Sequence, residues 1–593
     1  MKKNYIGIAN TFHDSSVAIV NSEGKVVFAQ ATERYLQNKR AIHAPADQFI
    51  NIGRLVEEYC EPGAELIVAN TWSSNAGAMG EQATRLVSQE EAAWRDENGR
   101  IPDLIFDKLA FRKFAIRAQI NAAQLANITL RYELSQLEQW RSNTDFKVRC
   151  YDHHLTHAAT ACFTAPFASG VCAIVDGYGE GCSSQCFRYE NGRISSLTQA
   201  DGQGFLSASL GTFYMIICDV CGFGYFRGEE WKVMGLAAYG KFNQQYYDIM
   251  KPMMEVQGLS ITACSPLKYN QRLRKLYSLK RKPDQSALEM ADLAYTGQYV
   301  YSEILFEYLN NLYKAAPSDQ VILGGGSFLN SWANGEITKF TPFRRSHIFS
   351  APGDDGNSLG AALLAYYEDH PDKRPENSFQ SPYLGSAISI DSIEKFKEFG
   401  GLNQYTTEYP GTVHKKAAEL LAQGKIIGWI QGRAEFGPRA LGNRSILADP
   451  RRADCQEKIN QRVKFREEFR PFAPSVLHQY AEEYFIGYEE SPYMERTLKY
   501  HQDAASKVPG VVHVNQSGRL QTVKKEWNEK YYNLIEAFYQ LTGVPVILNT
   551  SFNVMGKPIS HSLEDVLSVF FTSGLDALII NDLIIEKPDP TYY

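Results

Sequence analysis

Two stretches of this 593-residue chain repeat one order of strand and turn signals, and that repeat constrains the fold more than any other feature. Tyr5-Ile6-Gly7-Ile8-Ala9 leads through Thr11-Phe12-His13-Asp14 to Ser16-Val17-Ala18-Ile19-Val20, and Ser22-Glu23-Gly24 turns the chain into Lys25-Val26-Val27-Phe28-Ala29-Gln30. The second copy starts at Val171-Cys172-Ala173-Ile174-Val175-Asp176. After a Gly turn it runs through Ser184–Tyr189, Asn191-Gly192 and Arg193-Ile194-Ser195. Short β-branched and aromatic runs between Gly, Asn and Ser turns read as hairpin strands. In both copies a polar or acidic residue closes the first strand. Such duplication predicts two similar α/β halves facing across a cleft, with strand ends open to a ligand.

Between the copies, residues 81–142 place Leu86, Val87, Leu109, Phe114, Ile116, Leu125, Ile128, Leu134 and Leu137 at helical spacings, which predicts an inserted helical lobe. A polar, Pro-rich stretch, 368–377, then separates a first unit (1–370) from a second (378–593). In the second unit a helix at about 412–423 leads through Gly424 to the strand 425–430, and another helix-to-strand pair runs near 528–549, so it is α/β too. No apolar run reaches the roughly 18 residues of a membrane span. Ten cysteines without regular spacing suit free thiols in a reducing compartment. The expectation is a cytoplasmic protein with no membrane partner.

Chemistry enters at Asp152-His153-His154-Leu155-Thr156-His157. On a helix His153 and His157 are one turn apart on one face, close enough for one metal ion. Asp176, at the end of the repeat strand, and Asp354 or Asp355, in Pro352-Gly353-Asp354-Asp355-Gly356, offer oxygen ligands. Two imidazoles with carboxylates suit Fe, Mn or Zn better than Ca or Mg. A helix-capping cluster without metal is the other reading. His13 reads either as a general base for a hydroxyl or as a turn histidine. Gly324-Gly325-Gly326 follows the strand Val321-Ile322-Leu323 and could offer backbone amides to phosphate, though no Gly-Lys-Ser/Thr comes after it. Glu230 and Lys232 open a segment ending at Gly240, as a cleft-facing pair or a solvated helix start. Cys218 and Cys221 sit in an apolar run that reads as a core helix.

The net charge of −6 hides a local excess. Residues 433–470 hold eight arginines and two lysines against six carboxylates. Gly and Pro between the arginines argue against a charged helix face and for loops that aim guanidinium forks at a small anion. An overall acidic chain with one basic segment excludes a dedicated duplex-DNA binder and leaves small phosphates as ligands.

Together these runs resemble the NodU/CmcH family of O-carbamoyltransferases. The matching residues are His13-Asp14-Ser15-Ser16, His153-His154-x-x-His157-Ala158, Lys232–Ala237, Gly353–Gly356, Glu435–Ser445, Arg470-Pro471-Phe472-Ala473-Pro474 and Leu548–Asn553, in the family order and in both halves. The resemblance implies an N-terminal Kae1-like domain of the actin/hexokinase type and a C-terminal YrdC-like domain. It implies a transferase that makes carbamoyl adenylate from carbamoyl phosphate and ATP, with Mg2+ accompanying the ATP, and passes the carbamoyl group to a hydroxyl of a small acceptor such as a sugar, antibiotic or alkaloid. His13 would be the base. His153, His157, Asp176 and Asp354 would hold the metal, as Fe(II), with Asp355 the rival of Asp354. Arg439, Lys464, Arg470, Arg519 and Asn549 would bind carbamoyl phosphate or the adenylate. Glu230, Lys232, Gly235, Gly324, Gly325, Gly326 and Asn330 would meet a nucleotide in the first half. A homodimer is compatible with the sequence.

Gly556-Lys557-Pro558-Ile559 departs from the Gly-Glu-Pro-Ile of many relatives, and residues 81–142 carry no family motif. Two alternatives share some of these features: a threonylcarbamoyl-adenylate system acting on tRNA, and a nucleotide-binding regulatory module. An RNA substrate predicts a broad basic face, whereas the basic excess here is confined to one segment.

Overall fold

The computed structural model describes residues 2–93, 103–143, 146–198, 208–401 and 403–587. Residues 94–102 of the expected helical insertion lie outside that set.

The first sheet consists of β1 (Lys3–Ala9), β2 (Ser16–Val20), β3 (Val26–Ala31), β4 (Glu65–Asn70) and β5 (Lys147–Cys150), in the order β3-β2-β1-β4-β5. The second consists of β6 (Ser169–Gly179), β7 (Cys182–Glu190) and β8 (Arg193–Ser196). After a separate hairpin, β9 (Met254–Gln257) and β10 (Ser260–Ala263), it continues with β11 (Gln320–Gly324) and β12 (Arg345–Ile348). Its order, β12-β11-β6-β7-β8, is that of the first sheet. In each, three antiparallel strands form a meander and two parallel strands extend its first member. The repeat read from residues 5–30 and 171–195 is this pair of meanders.

The two sheets are joined by reciprocal helices. The helix His153–Phe163 leaves β5 and packs on the second sheet, and the helix Asn357–Asp369 leaves β12 and packs on the first. Alanines Ala158, Ala161, Ala361, Ala362 and Ala365 are fully or almost fully buried and let these helices approach closely. Tyr5 and Ile67 of one sheet, Ile174 and Ile322 of the other and Phe436, Leu441 and Tyr493 from the second half of the chain share this core. The second half therefore packs on the layer that joins the sheets.

Enlargements differ between the copies. The first carries helices Ala76–Ala93, Asp103–Leu125 and Ile128–Gln136 between β4 and β5, where the helical spacings predicted a lobe. The second carries its helices before β11, including Leu210–Val220, which buries Cys218 as the apolar run implied; Cys221, its C-cap, is buried as well. All ten cysteines are free thiols. Among the described residues no helix is long and apolar enough to cross a membrane.

One nine-stranded mixed sheet organises the second half. Its strands are β13 (Thr406–Glu408), β14 (Ile427–Ile430), β15 (Arg444–Ala448), β16 (Ala473–Leu477), β17 (Arg496–Lys499), β18 (Ser517–Val523), β19 (Val546–Ser551), β20 (Ala577–Ile580) and β21 (Leu583–Glu586), in the order β13-β21-β20-β14-β15-β19-β16-β18-β17. The helices Val413–Ala422 and Glu529–Thr542 pack together, with Leu421 and Leu534 among the residues they bury in its core.

Candidate active site

The carboxyl ends of β5, β6, β11 and β12 meet at one crevice, where open α/β sheets place ligands. Asp152 caps the helix that leaves β5, accepting the Leu155 amide at 2.9 Å, and this orients the first helical turn. His153 and His157, on that turn and the next, bring their Nε2 atoms to 3.2 Å. Asp176 projects from β6 to 3.4 Å from His153 and 3.8 Å from His157. Asp354, after β12, lies 3.7 and 3.3 Å from the same atoms. All four side chains are buried, with donor atoms within 4.8 Å of one another. Spacings of 3.2–3.8 Å are the edges expected of donors placed about 2.1 Å from a common centre. Burial opposes a proton on His153, but Asp176 and Asp354 outweigh it and raise the imidazole to about 9, so a cation is favoured where that proton would sit. Asp355 lies outside the group. Burial, then the charges of Asp14 and Glu33, raise its carboxyl to about 8.

Gly179 sets the position of His153. A methyl at Gly179 would overlap the imidazole Cδ2 and come 2.8 Å from Cγ. Trp72 closes the other side, its ring centroid 4.5 Å from that of His153. Gly179→Ala is therefore expected to cost about 1–3 kcal/mol of stability by overpacking and to displace His153. Thermal unfolding with and without added divalent metal checks it; unchanged metal stabilisation would refute the positional role.

His13 stands beside this group. Its Nδ1 lies 2.9 Å from Asp14, 3.1 Å from Arg40 Nη2 and 3.6 Å from Asp354. Burial works against charge on Asp14, but Arg40 and His13 hold its carboxyl at about 2. Asp14 can only accept from Nδ1–H and Arg40 can only donate to Nδ1, so the two contacts favour opposite tautomers. With Asp14 as the partner, Nε2 keeps the lone pair a general base requires. Arg40 and Asp14 carried no separate signal as site residues. Arg40 has a φ of 63°, and only the tertiary fold brings its loop against His13.

The Gly-rich turn fixes one of the cluster's carboxylates. Gly325 has φ 97°, and a side chain there would strike the Val175 backbone. The Gly326 amide donates to Asp176 Oδ1 at 3.0 Å, so the turn fixes that carboxylate. The chain then forms a short 3₁₀ turn, Gly326–Leu329, and the four-residue helix Ser331–Asn334, which offers no extended helix N-terminus to a phosphate. Gly324 ends β11 beside the His157 carbonyl. Asn330 exchanges hydrogen bonds with Gln298 at 3.0 and 3.2 Å. Glu230 opens a helix and lies near Arg40, while Lys232 bridges Glu229 at 2.7 Å and Glu467 at 2.8 Å; Gly235 packs near Phe469 and Pro471.

In the second half, part of the arginine excess is structural. Arg444 is fully buried and donates to the carbonyls of Gln431, Asn443, Ser386 and Gly432. Glu435 accepts the amides of Leu441, Asn443 and Arg444 at 2.7–3.2 Å, which shapes the loop carrying Arg439. Arg451 and Arg462 pair with Asp449 and Asp576. Arg439, Arg466 and Arg470 converge instead with Arg519 of β18: burial, then these three like charges, hold Arg519 well below the ordinary guanidinium range. Arg519 Nε is buried without a hydrogen-bond acceptor among the described residues. Arg466 belongs to the set although the motifs did not single it out; its spacing within Lys464–Arg470 was the available signal.

Lys464 donates to the Ser551 carbonyl at 2.5 Å and to Asn553 Oδ1 at 2.6 Å, holding the end of β19. Asn549 donates to Ala440 O, Ser475 Oγ and Gln521 Oε1, and its own buried Oδ1 has no donor among the described residues. The cluster reaches the first half. Arg470 lies 3.6 Å over the Trp231 ring, and Arg439 Nη2 is 3.5 Å from the Leu329 carbonyl.

Residues 4–363 match the family model described as carbamoyltransferase N-terminus, and residues 418–587 match carbamoyltransferase C-terminus. The chain belongs to the carbamoyltransferase family. It is 30% identical to nodulation protein NolNO of Sinorhizobium fredii over 99% of this chain and 81% of that protein. It is 29% identical to 3'-hydroxymethylcephem-O-carbamoyltransferase of Amycolatopsis lactamdurans over 45% of this chain and 49% of that one. Among solved structures, HypF of T. kodakarensis aligns over 64% of this chain and 49% of its own, at 13% identity and a TM-score of 0.34. The protein is thus a transferase enzyme of carbamoyl-transfer type, and the resemblance read from its motifs is borne out.

Proposed function

We propose that the protein is an ATP-dependent O-carbamoyltransferase, with a Kae1-like unit (1–370) of the actin/hexokinase type and a YrdC-like unit (378–593). The reading is supported most by the contact between the two sites. Arg439 reaches the Leu329 carbonyl of the same turn whose Gly326 amide holds Asp176. An anion on the arginine set therefore lies close to the turn that fixes Asp176, which suits the transfer of a hydrolysis-prone intermediate between the two sites.

In the second half, Arg439, Arg466, Arg470 and Arg519 bind carbamoyl phosphate and the phosphates of ATP and offset charge as it develops. Atom balance requires carbamoyl phosphate to lose inorganic phosphate to water. The carbamate oxygen then attacks the α-phosphorus of ATP, and pyrophosphate leaves with its Mg2+. In the first half, the acceptor oxygen attacks the carbamoyl carbon while His13 Nε2 takes its proton, and AMP departs. Lys232 ties the two halves together through Glu229 and Glu467, and Glu230 lies near Arg40. His153, His157, Asp176 and Asp354 would hold a transition metal, Fe(II) by the family resemblance. When bound, such an ion supplies Lewis-acid polarisation and neutralises phosphate charge.

The test uses purified protein with ATP, carbamoyl phosphate and hydroxylated small molecules. Phosphate, pyrophosphate and AMP are expected, together with an acceptor product heavier by one CONH2 in place of H. Product formation that required threonine and bicarbonate in place of carbamoyl phosphate would overturn the reading in favour of the threonylcarbamoyl alternative.

A further inference from the structure

The wall beside His13 is aromatic, and the helical insertion supplies its open part. Phe226 stacks on Phe12 with centroids 5.6 Å apart and planes 6° from parallel, and it meets the His13 imidazole at 5.3 Å. Phe111 and Phe114 reach the same rings from the Asp103–Leu125 helix, at 4.7 Å from Phe226 and 6.4 Å from Phe12. One side chain registers that helix on the site. Gln119 accepts the Phe12 amide at 3.1 Å and donates to the Asn10 carbonyl at 3.1 Å. Phe12 is buried, whereas Phe114 is 46% exposed and His43, 5.1 Å from it, is exposed as well.

The backbone under this wall is unusual. Asp14, Arg40, Ala41, His43 and Phe226 all have φ between 42 and 63°, a region that residues with side chains seldom adopt. Strained positions gather where a functional arrangement is held in place by its surroundings. Arg40 bonds Asp14 at 3.0 Å and lies 4.4 Å over Phe226. Outward, the wall shows the Phe114 ring with the His43 imidazole beside it.

We propose that this wall is the acceptor site, and that the acceptor is an alcohol carried on a flat, apolar ring system. The inference rests on the carbamoyl-transfer reading and names its substrate class. A planar frame gains stacking on the exposed Phe114, which Phe12, Phe111 and Phe226 back, while its hydroxyl meets His13. A small polyol would give up water against rings that return no hydrogen bond. The insertion, which carries no family motif, thereby selects the acceptor.

Naphthylmethanol is the probe, titrated into the full-length protein by fluorescence, with myo-inositol as competitor. Binding is expected, inositol is expected not to displace it, and Phe114→Ala is expected to weaken it at least about fivefold. Phe114→Tyr keeps the ring and should retain binding. So should Tyr132→Ala, a change on the same insertion at a ring stacked on Phe49 outside this wall. No binding, binding indifferent to Phe114→Ala, or displacement by inositol would overturn the proposal. Release of phosphate and pyrophosphate from carbamoyl phosphate and ATP, measured on the wild-type protein without acceptor, tests the underlying reading separately. Its loss with the probe results intact would sink the adenylate chemistry and leave the aromatic site standing.

Discussion

Alanine in place of His157 is expected to leave the purified protein with no more than about a tenth of the wild-type transition metal. Changes outside the ligand set already cost about 10–100-fold in affinity, and loss of a ligand should cost at least as much. The remaining donors, His153, Asp176 and Asp354, would then enclose an open corner, and the two buried carboxylates would lose an imidazole that lies 3.3 and 3.8 Å from them. Carbamoyl transfer should fall with the metal, while phosphate and pyrophosphate release in the second half should persist. The measurement is metal content by elemental mass spectrometry, with acceptor product followed in parallel. Full metal occupancy in the variant would refute the ligand assignment. A lowered melting temperature at full occupancy would reduce His157 to a packing role.

Arg519→Ala is expected to lower the rate of pyrophosphate release from ATP and carbamoyl phosphate by about 10²–10³-fold, the usual cost of removing one aimed donor from a developing anion. The reason is an imbalance of charge. Arg439, Arg466, Arg470 and Arg519 crowd together, and Arg519 is held below its ordinary proton affinity by burial and by its neighbours. Such an arrangement is costly without an anion and favourable with one, so the same truncation should leave the unliganded protein as stable or more stable. Arg519→Lys should recover little, because a point charge does not replace the two-pronged fork. Unfolding curves with and without phosphate separate the two effects. If the variant unfolds earlier and releases pyrophosphate at the wild-type rate, Arg519 is a structural residue.

Some of the site was legible because local rules decide it. His153 and His157 follow from helical spacing after an Asp cap, and the acidic end of β6 follows from the hairpin pattern. The purpose of the Gly-rich turn was not legible. A glycine run after a strand signals close backbone approach, but composition does not say what approaches, and here Gly326 meets Asp176. The arginine-rich segment mixes two populations that sequence spacing cannot separate. Arg444 saturates backbone carbonyls inside the core, whereas Arg439, five residues earlier, faces the first half of the chain.

What the sequence determined by itself is the duplicated strand order, the α/β character of both units, the family and the inventory of candidate groups, because these depend on short-range patterning and on motif order. Tertiary structure alone decided which groups share a space. It set Arg40 against His13, chose Asp354 over Asp355 for the His/Asp cluster, drew Arg519 from a distant strand to Arg466 and Arg470, and laid an unmotifed helix against Asn10 and Phe12. Each of these juxtapositions joins segments far apart in the chain. They arise from the packing of two sheets across crossed helices and of the second half on that layer, and no local periodicity encodes them.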